Sequence, residues 1–548
     1  MPPDRKVAAG GILKILTMMK VIRYLLIFTC SIAYIFPLHA QKHDRYWPFG
    51  TAYSESNFKP VFFFLEFDYN GGYEVEVPPQ PDSSKSKFLI FDSSPGTTSY
   101  SDKEGNLKFM SNSLRIFDTT LAVMQNGDTI NPGFFWKSSP FSTNYLPHGL
   151  RALPAPDDED HYAYLIHQGF DTCHKCPSGF YKLTPLYYSK IDLQANGGLG
   201  AVVEKNQIIE KVKGAPYSVT KHANGRDWWI LLPEQGINHY RRYLLTPEGI
   251  LGPWIQEIGA NPKEVVWKPL QASFSPTGDK FVFGYGNQAI FLFDFDRCSG
   301  LLFNFRELPL TDYQDLDGFK YGAGTCFSSS GRFCYLFSSS RIYQMDTEQE
   351  PLSIDTIVAL NLPVILCEKD TLLSTYNGFE HWLQQLGPDG NIYISHKLKS
   401  YCLSRIDNVD KKYDGTENGP HLSSVDLPSY CDQSLPYYPN YRLGALVGPC
   451  DTLTSVRADK PPAASLQVYP NPSAGDIVTE ITLPDYGLAQ TTELRVFDAS
   501  GKEVYSWRYP AYSYLHVIPA GRLSAGVYTA VLMYKASPVQ YVKFSVVR

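Results

Sequence analysis

Apolar and polar positions along the middle of the chain follow a repeated pattern. In each unit an apolar run leads into a polar turn that contains glycine, and a β-rich strand follows the turn. The turn glycines are Gly105, Gly225, Gly278, Gly331 and Gly390, and the last three spacings are 53, 53 and 59 residues. The interval from Gly105 to Gly225 is 120 residues, and "LPAPDDEDHYAYLIH" repeats the same character in its middle. At least six units therefore run from about residue 90 to residue 430.

A period near 50 residues with several strands in each unit is typical of a β-propeller. A four-stranded blade cannot bury both of its faces alone, so blades pack face to face around an axis. A β-helix usually has shorter repeats, and a two-sheet sandwich would not show six units. The sequence therefore predicts an all-β propeller of six to seven blades. We expect seven, with "KPVFFFLEFDYNGGYEVEVP" and "YYPNYRLGALVG" closing the ring jointly from both ends of the domain.

Composition agrees with this fold and excludes one class of partner. Aromatic residues make up 14% of the chain, and 41 Gly and 40 Pro are spread along it, which suits strands joined by tight turns. The net charge is only -6 over 548 residues, so no basic field for nucleic acid is present. We expect no nucleic-acid partner.

The N-terminal segment has the pattern of a secretory signal peptide. Basic Lys20 and Arg23 precede an apolar stretch that runs from Tyr24 to about Phe36, and "LHA" follows. This pattern predicts cleavage after Ala40, and residues 1–18 resemble an upstream extension. No other run is long and apolar enough to span a bilayer, so we expect no membrane span after cleavage. Residues 1–40 are thus assigned to the extension and signal peptide.

The last 80 or so residues show a different organisation. Apolar positions recur in the strand pattern at Leu494, Val496 and Phe497, and again at Val527, Tyr528 and Val531. "ADKPPAAS" precedes them and reads as a Pro/Ala linker. The sequence predicts a propeller over 41–452, a linker over 453–465 and a small Ig-like β-sandwich over 466–548.

Several pieces of the middle region carry a family resemblance by their order along the chain. They include "WPFG", "SDKEGNLKFMSNSLRIFDTTLAVMQNG", "SKIDLQANGGLGAVVEKNQII", "VTKHANGRDWW", "LFDFDRCSG" and "LQQLGPDGNIYIS". Together they resemble secreted, WD40-like β-propeller proteins of Bacteroidetes-type bacteria. Most members of that family have no assigned biochemical activity, so the resemblance implies a fold and an export route.

The tail carries a more specific resemblance. "VYPNPSAG", "LRVFDASGKEV", "IPAGRLSAGVYTAVL" and the final "KFSVV" resemble the type A C-terminal sorting domain of the type IX secretion system. The resemblance implies recognition by that machinery at the outer membrane, and a secreted or outer-surface location. The residues that match the sorting motif are Tyr469, Pro470, Asn471, Pro472, Gly475 and Gly526.

Sequence motifs for catalysis or cofactors are absent. The chain has no HExxH, GxSxG, P-loop or strong calcium-loop pattern. The acidic stretches "TDYQDLDG" and "PDDED" are interpreted as solvated loops, and "NGGLG" lacks the following helix that a phosphate cradle needs. "KHANGRDWW" brings Lys221, His222 and Asp227 together, and a turn held by Asp227 is favoured over a catalytic group. We therefore expect no catalytic residue, no metal and no cofactor.

The cysteines suggest disulfides in an exported chain. Cys173 and Cys176 form a CxxC, but no second such pair exists to complete a zinc site. A loop disulfide between Cys173 and Cys176 is predicted, with pairing to other cysteines as the alternative. Cys326 and Cys334 flank one blade turn, and they are interpreted as buried thiols or as a cross-strand pair.

Two classes of function remain open at this point. The first is a non-catalytic module that binds an extracellular glycan or protein, and the alternative is a secreted propeller enzyme, a hydrolase or lyase that acts on glycans. In either class we expect the ligand at the loops that lead into the innermost strands. These loops define the predicted funnel, which comprises His148, Trp267, Lys268, Lys320, Tyr321, Glu380 and His381.

Overall fold

The structure is a computed structural model that divides into two compact units, Met1–Gly444 and Ala445–Arg548. The predicted domain bounds, including the linker over 453–465, stay predictions. The signal peptide lies outside the described residues. The structure describes residues 41–50, 62–79, 96–133, 136, 146, 148–176, 179–211, 216–261, 271–285, 289–310, 324–337, 341–359, 381–396, 400–416, 418–431, 434–446, 465–482, 492–499, 502–509, 515–519, 521–534 and 537–547.

Seven antiparallel sheets form the blades of the first unit within the described residues. The two blades nearest the N-terminus are three-stranded here. Blade 1 consists of β1 (Tyr46–Phe49), β2 (Phe63–Phe67) and β3 (Tyr73–Glu76), and blade 2 of β4 (Thr98–Ser101), β5 (Leu107–Ser111) and β6 (Ile116–Phe117).

Blade 3 has four strands and carries an extra hairpin between its second and third strands. Its strands are β7 (Leu150–Pro154), β8 (Tyr162–His167), β11 (Leu186–Asp192) and β12 (Ala201–Glu210), and the hairpin pairs β9 (Phe170–Cys176) with β10 (Gly179–Leu183). A 3₁₀ turn, Asn196–Gly198, joins β11 to β12. A strand therefore follows "NGGLG", as expected for a loop that is not a phosphate cradle.

The remaining four blades are four-stranded meanders in chain order. Blade 4 consists of β13 (Ser218–Lys221), β14 (Trp228–Pro233), β15 (His239–Thr246) and β16 (Gly249–Glu257). Blade 5 consists of β17 (Ala272–Phe274), β18 (Lys280–Tyr285), β19 (Ala289–Asp296) and β20 (Leu301–Pro309). Blade 6 consists of β21 (Gly324–Phe327), β22 (Phe333–Phe337), β23 (Arg341–Asp346) and β24 (Ile354–Ala359). Blade 7 consists of β25 (His381–Leu386), β26 (Ile392–His396), β27 (Ser400–Asp407) and β28 (His421–Cys431).

The glycine turns that mark the sequence repeat join the first and second strands of their blades. Gly278, Gly331 and Gly390 lie between the inner strand and the next strand of blades 5, 6 and 7, with φ of 71°, 75° and 84°. Such φ values are open to glycine without the steric cost that a Cβ brings. The predicted units therefore correspond to blades 2 to 7.

Apolar faces join the blades into a closed ring. Shared clusters of buried side chains link blade 1 to 2, 2 to 3, 3 to 4, 4 to 5, 5 to 6 and 6 to 7. The ring closes where Tyr393 of blade 7 meets Trp47 and Phe67 of blade 1, at ring-centroid distances of 5.3 and 5.6 Å. The prediction of a seven-bladed propeller is confirmed.

The predicted manner of closure is wrong in one respect. The described strands of blade 1 all come from the N-terminal segment, and "YYPNYRLGALVG" contributes none of them. Its described part instead belongs to an irregular segment, residues 434–444, which we term the channel plug. Pro436 and Pro439 lack the N–H groups that a ladder needs, which explains why this aromatic segment does not pair as a strand.

The second unit is a two-sheet β-sandwich. One sheet contains β29 (Ser465–Tyr469), β30 (Ile477–Thr482) and β33 (Leu515–Ile518). The other contains β31 (Thr492–Asp498), β32 (Glu503–Arg508), β34 (Gly526–Tyr534) and β35 (Ser537–Val546). Buried side chains from both sheets, among them Leu466, Leu494 and Phe544, form its own core.

Candidate functional site

The channel plug lies among the innermost strands of the propeller and bonds to several of them. Tyr438 donates its hydroxyl to the carbonyl of Tyr46 in blade 1 at 3.0 Å and accepts the Ser99 N–H of blade 2 at 3.2 Å. Tyr441 donates to the carbonyl of Ala152 in blade 3 at 2.6 Å. Because each tyrosine hydroxyl reaches a different blade, the plug ties the ring together from its centre.

Other polar contacts extend the plug to blades 4, 5 and 7. The hydroxyls of Tyr437 and Ser218 of blade 4 are 3.2 Å apart. Asn440 donates its amide to the carbonyl of Pro276, in the turn of blade 5, at 2.8 Å. Gln385 of blade 7 donates to the carbonyl of Tyr438 at 3.2 Å. These bonds orient the plug side chains that line the cavity described below.

An ion pair between the buried Asp44 and the partly buried Arg442 fastens the plug to the first residues of the described chain. Arg442 binds Asp44 in a bidentate manner, with Nη1–Oδ1 and Nη2–Oδ2 distances of 2.8 and 3.0 Å. Tyr69 also donates its hydroxyl to Asp44, at 2.8 Å. Burial acts to lower the pKa of Arg442, but the attraction of Asp44 outweighs it and leaves that pKa raised. Each of the two charges is thus neutralised by the other.

A cavity of about 220 Å³ lies between the plug and the inner strands of blades 4 to 7. It extends to the turns that follow these strands, where Pro276, Pro388 and Gly390 line it. In a propeller the inner strands run parallel, so these turns lie at the opposite end of the channel from the loops that lead into the strands. The cavity, which we term the channel pocket, thus reaches these turns, and it also extends to Gln271, which directly precedes β17 on the same side as the predicted funnel loops.

Carboxamide and hydroxyl side chains provide most of the polar lining of the channel pocket. Gln271 donates its amide to the carbonyl of Gln384 at 2.9 Å, and its own Oε1 is buried without a hydrogen-bond partner. Ser273 donates to the carbonyl of Thr325 at 2.9 Å. The apolar part of the lining comes from Phe274, Cys326, Phe327, Leu386, Pro388 and Pro439. The pocket is thus suited to a neutral molecule with hydrogen-bond donors.

The predicted funnel is described only at His148 and at the backbone of His381. His381 begins β25. The His148 side chain is buried rather than exposed, and its ring lies 4.8 Å from that of Tyr437. Trp267, Lys268, Lys320, Tyr321 and Glu380 lie outside the described residues. The funnel as a ligand site stays a prediction.

The histidine and acids of "KHANGRDWW" hold a turn, as favoured from the sequence. Asp227 accepts the Asn224 side-chain amide at 2.8 Å and the Arg226 Nε–H at 2.7 Å. His222 bonds to the Cys298 carbonyl at 3.0 Å through Nε2, and its Nδ1 accepts the Asn224 N–H. Both partners of a catalytic His–Asp pair are therefore engaged elsewhere.

Metal ligands do not gather within the part of the chain that the structure describes. No group of three or more His, Cys, Asp or Glu side chains there could hold a metal ion. In "PDDED", Asp157 pairs with Arg226 and Asp160 with Lys103, at 2.7 and 2.8 Å. "TDYQDLDG" lies outside the described residues.

The described cysteines decide between the two interpretations of Cys326 and Cys334. Cys326 and Cys334 are free and buried, so they are thiols and not a cross-strand pair. Burial raises the pKa of the Cys326 thiol to about 12, which leaves it protonated and unreactive at neutral pH. The side chains of Cys173 and Cys176 lie outside the described residues, so the disulfide between them stays a prediction.

Sequence reasoning missed the residues that build the channel pocket. Gln271, Ser273 and Gln384 are polar residues on or beside the inner strands. Their polar character inside otherwise apolar runs was the available signal. The predicted funnel comprises residues of the loops that lead into the strands and does not include these positions.

The sorting motif of the second unit connects the beginning of the sandwich to its end. Asn471 donates its amide to the Lys543 carbonyl at 3.1 Å and accepts the Ser545 N–H at 3.0 Å. Ser473 accepts the Val547 N–H through its carbonyl at 2.8 Å. The "YPNP" stretch and the serine that follows it are therefore hydrogen-bonded to the C-terminal strand β35 and to the residue after it.

Comparison with known proteins identifies this second unit. Residues 467–547 match the family described as the secretion system C-terminal sorting domain. No curated protein matches the chain. No helix among the described residues is both long and apolar enough to traverse a bilayer.

Solved structures similar to the chain include β-propellers at low identity. The β-propeller domain of Cps50 (Swd1) from Myceliophteria thermophila is 11% identical, with 73% of this chain and 97% of that one covered and a TM-score of 0.29. Apo AztD from Citrobacter koseri is 13% identical, with coverages of 70% and 95% and a TM-score of 0.33. A functionally unknown protein from Desulfotomaculum acetoxidans is 12% identical, with coverages of 70% and 99% and a TM-score of 0.33.

Sheet topology, and not these distant likenesses, identifies the propeller. The tail marks the chain for secretion or for attachment at the outer surface. The chain is therefore a secreted β-propeller protein that carries a C-terminal sorting domain of the type IX secretion system.

Proposed function

We propose that the exported propeller is a non-catalytic binding module and that its ligand occupies the channel pocket. The observation that carries this proposal is the lining of the pocket, which combines side chains of blades 4 to 7 with the plug. Its two charged residues, Asp44 and Arg442, are bonded to each other and are not available as acid and base. The pocket thus offers recognition without the groups that hydrolysis needs.

The ligand is a neutral polar group such as a sugar unit or an uncharged segment of a peptide. Gln271 presents a buried acceptor without a partner, and a ligand hydroxyl or amide N–H would satisfy it. The volume, about 220 Å³, is below the roughly 300–1,000 Å³ of pockets that enclose drug-sized molecules. The pocket therefore accepts a single small unit, which is free or at the tip of a longer extracellular glycan or protein.

The predicted funnel remains a second candidate location for the same function. Its aromatic and charged residues would meet around the loops that lead into the inner strands and suit sugars or peptides. Alanine substitution of Trp267, Tyr321 and His381 tests it directly. Loss of ligand in that triple variant, with binding retained when the pocket is altered, would move the site to the funnel.

The alternative function is a secreted glycan hydrolase or lyase. A retaining or inverting hydrolase normally needs two carboxyl groups facing the substrate. The carboxylate that lines the channel pocket is Asp44, which is held by Arg442. Incubation of the protein with extracellular polysaccharides and measurement of new reducing or unsaturated ends tests this alternative, and turnover would replace the binding proposal.

Ligand binding is tested with an array of extracellular glycans and peptides, followed by calorimetry on the best binder. Substitution of Gln271 by Leu should weaken binding about tenfold or more, since losing a buried hydrogen bond costs about 1–3 kcal/mol. Gln207, exposed on β12, supplies the matched control in Gln207→Leu, which should bind as wild type. Equal affinity of Gln271→Leu and wild type would exclude the pocket.

A further inference from the structure

A buried guanidinium that has no carboxylate partner among the described residues lies where the chain enters the inner strand of blade 3. Arg151, on the inner strand of blade 3, is fully buried. It donates to the carbonyl oxygens of His148, Leu150 and Tyr217. Its Nε–H has no hydrogen-bond partner, and no carboxylate of the described residues forms an ion pair with it. Among the described residues its positive charge is therefore not neutralised.

The ring of His148 is a second buried polar group without a partner. The side chain is 4% exposed, and neither Nδ1 nor Nε2 has a hydrogen-bond partner. His148 and Arg151 contact the same plug residue, because the Tyr437 ring centroid is 4.8 Å from the His148 ring and 3.6 Å from the Arg151 guanidinium carbon. Two unpartnered donors thus lie beside one aromatic ring.

Two further buried cations lie towards the other end of the channel and have acidic neighbours. Burial lowers the pKa of Lys221 and of Arg297, and attraction to Glu159 and to Asp279, respectively, acts against this. Arg151 differs from them because no carboxylate of the described residues forms an ion pair with it. Leaving a buried charge without a counter-charge is costly, so an anion would be favoured beside Arg151.

We propose that the propeller encloses a small anion beside Arg151 and His148, held by the Arg151 Nε–H and by one N–H of the neutral His148 imidazole. The anion is a halide from solvent or the carboxylate of a small organic molecule. Either would neutralise Arg151 and satisfy His148 without any uptake of protons. This site adjoins the channel pocket at Tyr437, which lines that pocket, but it does not depend on the ligand proposed there.

Thermal unfolding of the full chain in different sodium salts at constant ionic strength tests the proposal. The unfolding temperature should rise with bromide or with formate and should not rise with the bulky anion gluconate, because only bound anions stabilise the folded state. A rise with bromide identifies a halide site, and a rise with formate alone identifies a carboxylate site. Arg151→Met should abolish the dependence, whereas the exposed Arg332→Met should retain it.

Crystals grown in bromide provide a readout that needs no variant. An anomalous peak within hydrogen-bond distance of Arg151 Nε and a His148 ring nitrogen is expected for a halide site, and ordered formate density there for a carboxylate site. His148→Phe, which removes the second donor and keeps the ring, should weaken the anion dependence. The proposal is overturned if neither anion appears and the unfolding temperature is independent of both, which would leave Tyr437 and the carbonyls as the sole partners of Arg151.

Discussion

At the scale of single residues, the most consequential contact joins positions that are far apart in sequence. Asp44 and Arg442 are separated by 398 residues and form a partly buried bidentate pair between the start of the first blade and the plug. Nothing in the local pattern around either residue predicts the pair, because its geometry exists only after all seven blades have closed. Contacts of this kind are beyond sequence reasoning for a single chain.

Arg442→Met should destabilise the propeller by about 3–5 kcal/mol, because it leaves Asp44 buried without its counter-charge. Arg332→Met removes an ion pair to Asp346 whose arginine is 49% exposed, and it should cost less than about 1 kcal/mol. Urea unfolding of the two variants measures the difference. Equal and small losses of unfolding free energy in the two variants would show that the Asp44–Arg442 pair contributes little to stability.

His167 provides a pH-dependent prediction at the same scale. Burial lowers its pKa to about 3 in the folded state, where Nδ1 lies 2.8 Å from the Asn131 amide oxygen. In the unfolded chain the pKa is about 6.5. Between these values the unfolded state binds the extra proton, so stability falls as pH falls below about 6.5, by at most about 1.4 kcal/mol for each pH unit.

His167→Gln should therefore reduce the slope of unfolding free energy against pH between about pH 6 and pH 4. His421→Gln, at an exposed position, is the matched control and should keep the wild-type slope. The measurement is urea unfolding at a series of pH values. A slope unchanged by His167→Gln would mean that this histidine is protonated in the folded state.

At the scale of elements, the sequence predicts the blades, which repeat, and misses the channel plug, which occurs once. Turn glycines such as Gly278 and Gly331 recur because each turn needs a positive φ, so the blade order was readable from their spacing. The plug occurs once and has neither alternation nor periodicity. Its tyrosines resemble strand residues by composition, and only the folded ring reveals that their hydroxyls reach the inner strands.

Tyr438→Phe should cost about 1–3 kcal/mol of stability, because the carbonyl of Tyr46 and the N–H of Ser99 lose a buried partner while the ring packing is kept. Tyr541→Phe is the control, since Tyr541 is exposed on the second unit. Limited proteolysis under native conditions and urea unfolding report the effect. Wild-type behaviour of Tyr438→Phe would contradict a structural role for the plug.

At the scale of the whole molecule, export and binding are assigned to separate parts. Each unit has its own core, and residues 467–547 alone match the sorting family. The tail could be recognised from sequence because its motif is local and ordered. The channel pocket could not, because its lining comes from four blades and the plug, which lie far apart along the chain.

Removal of residues 466–548 should leave the protein in the periplasm with the unfolding temperature of the intact propeller. In the unaltered strain, the extracellular form should begin near Gln41 and lack most of the tail. Cell fractionation, thermal unfolding and mass spectrometry measure these outcomes. Export of the truncated chain would contradict the assignment of the tail as a sorting signal. An intact tail on every exported copy would contradict its removal during export.

The most direct test of the central claim is a crystal structure of the exported propeller with the tightest-binding glycan or peptide from the array. We expect ligand density in the channel pocket, with a hydroxyl or amide of the ligand donating to Gln271 Oε1. Density near His148 and His381 and away from Gln271, or on the outer faces of the blades with the pocket unchanged, would contradict a binding site in the channel pocket.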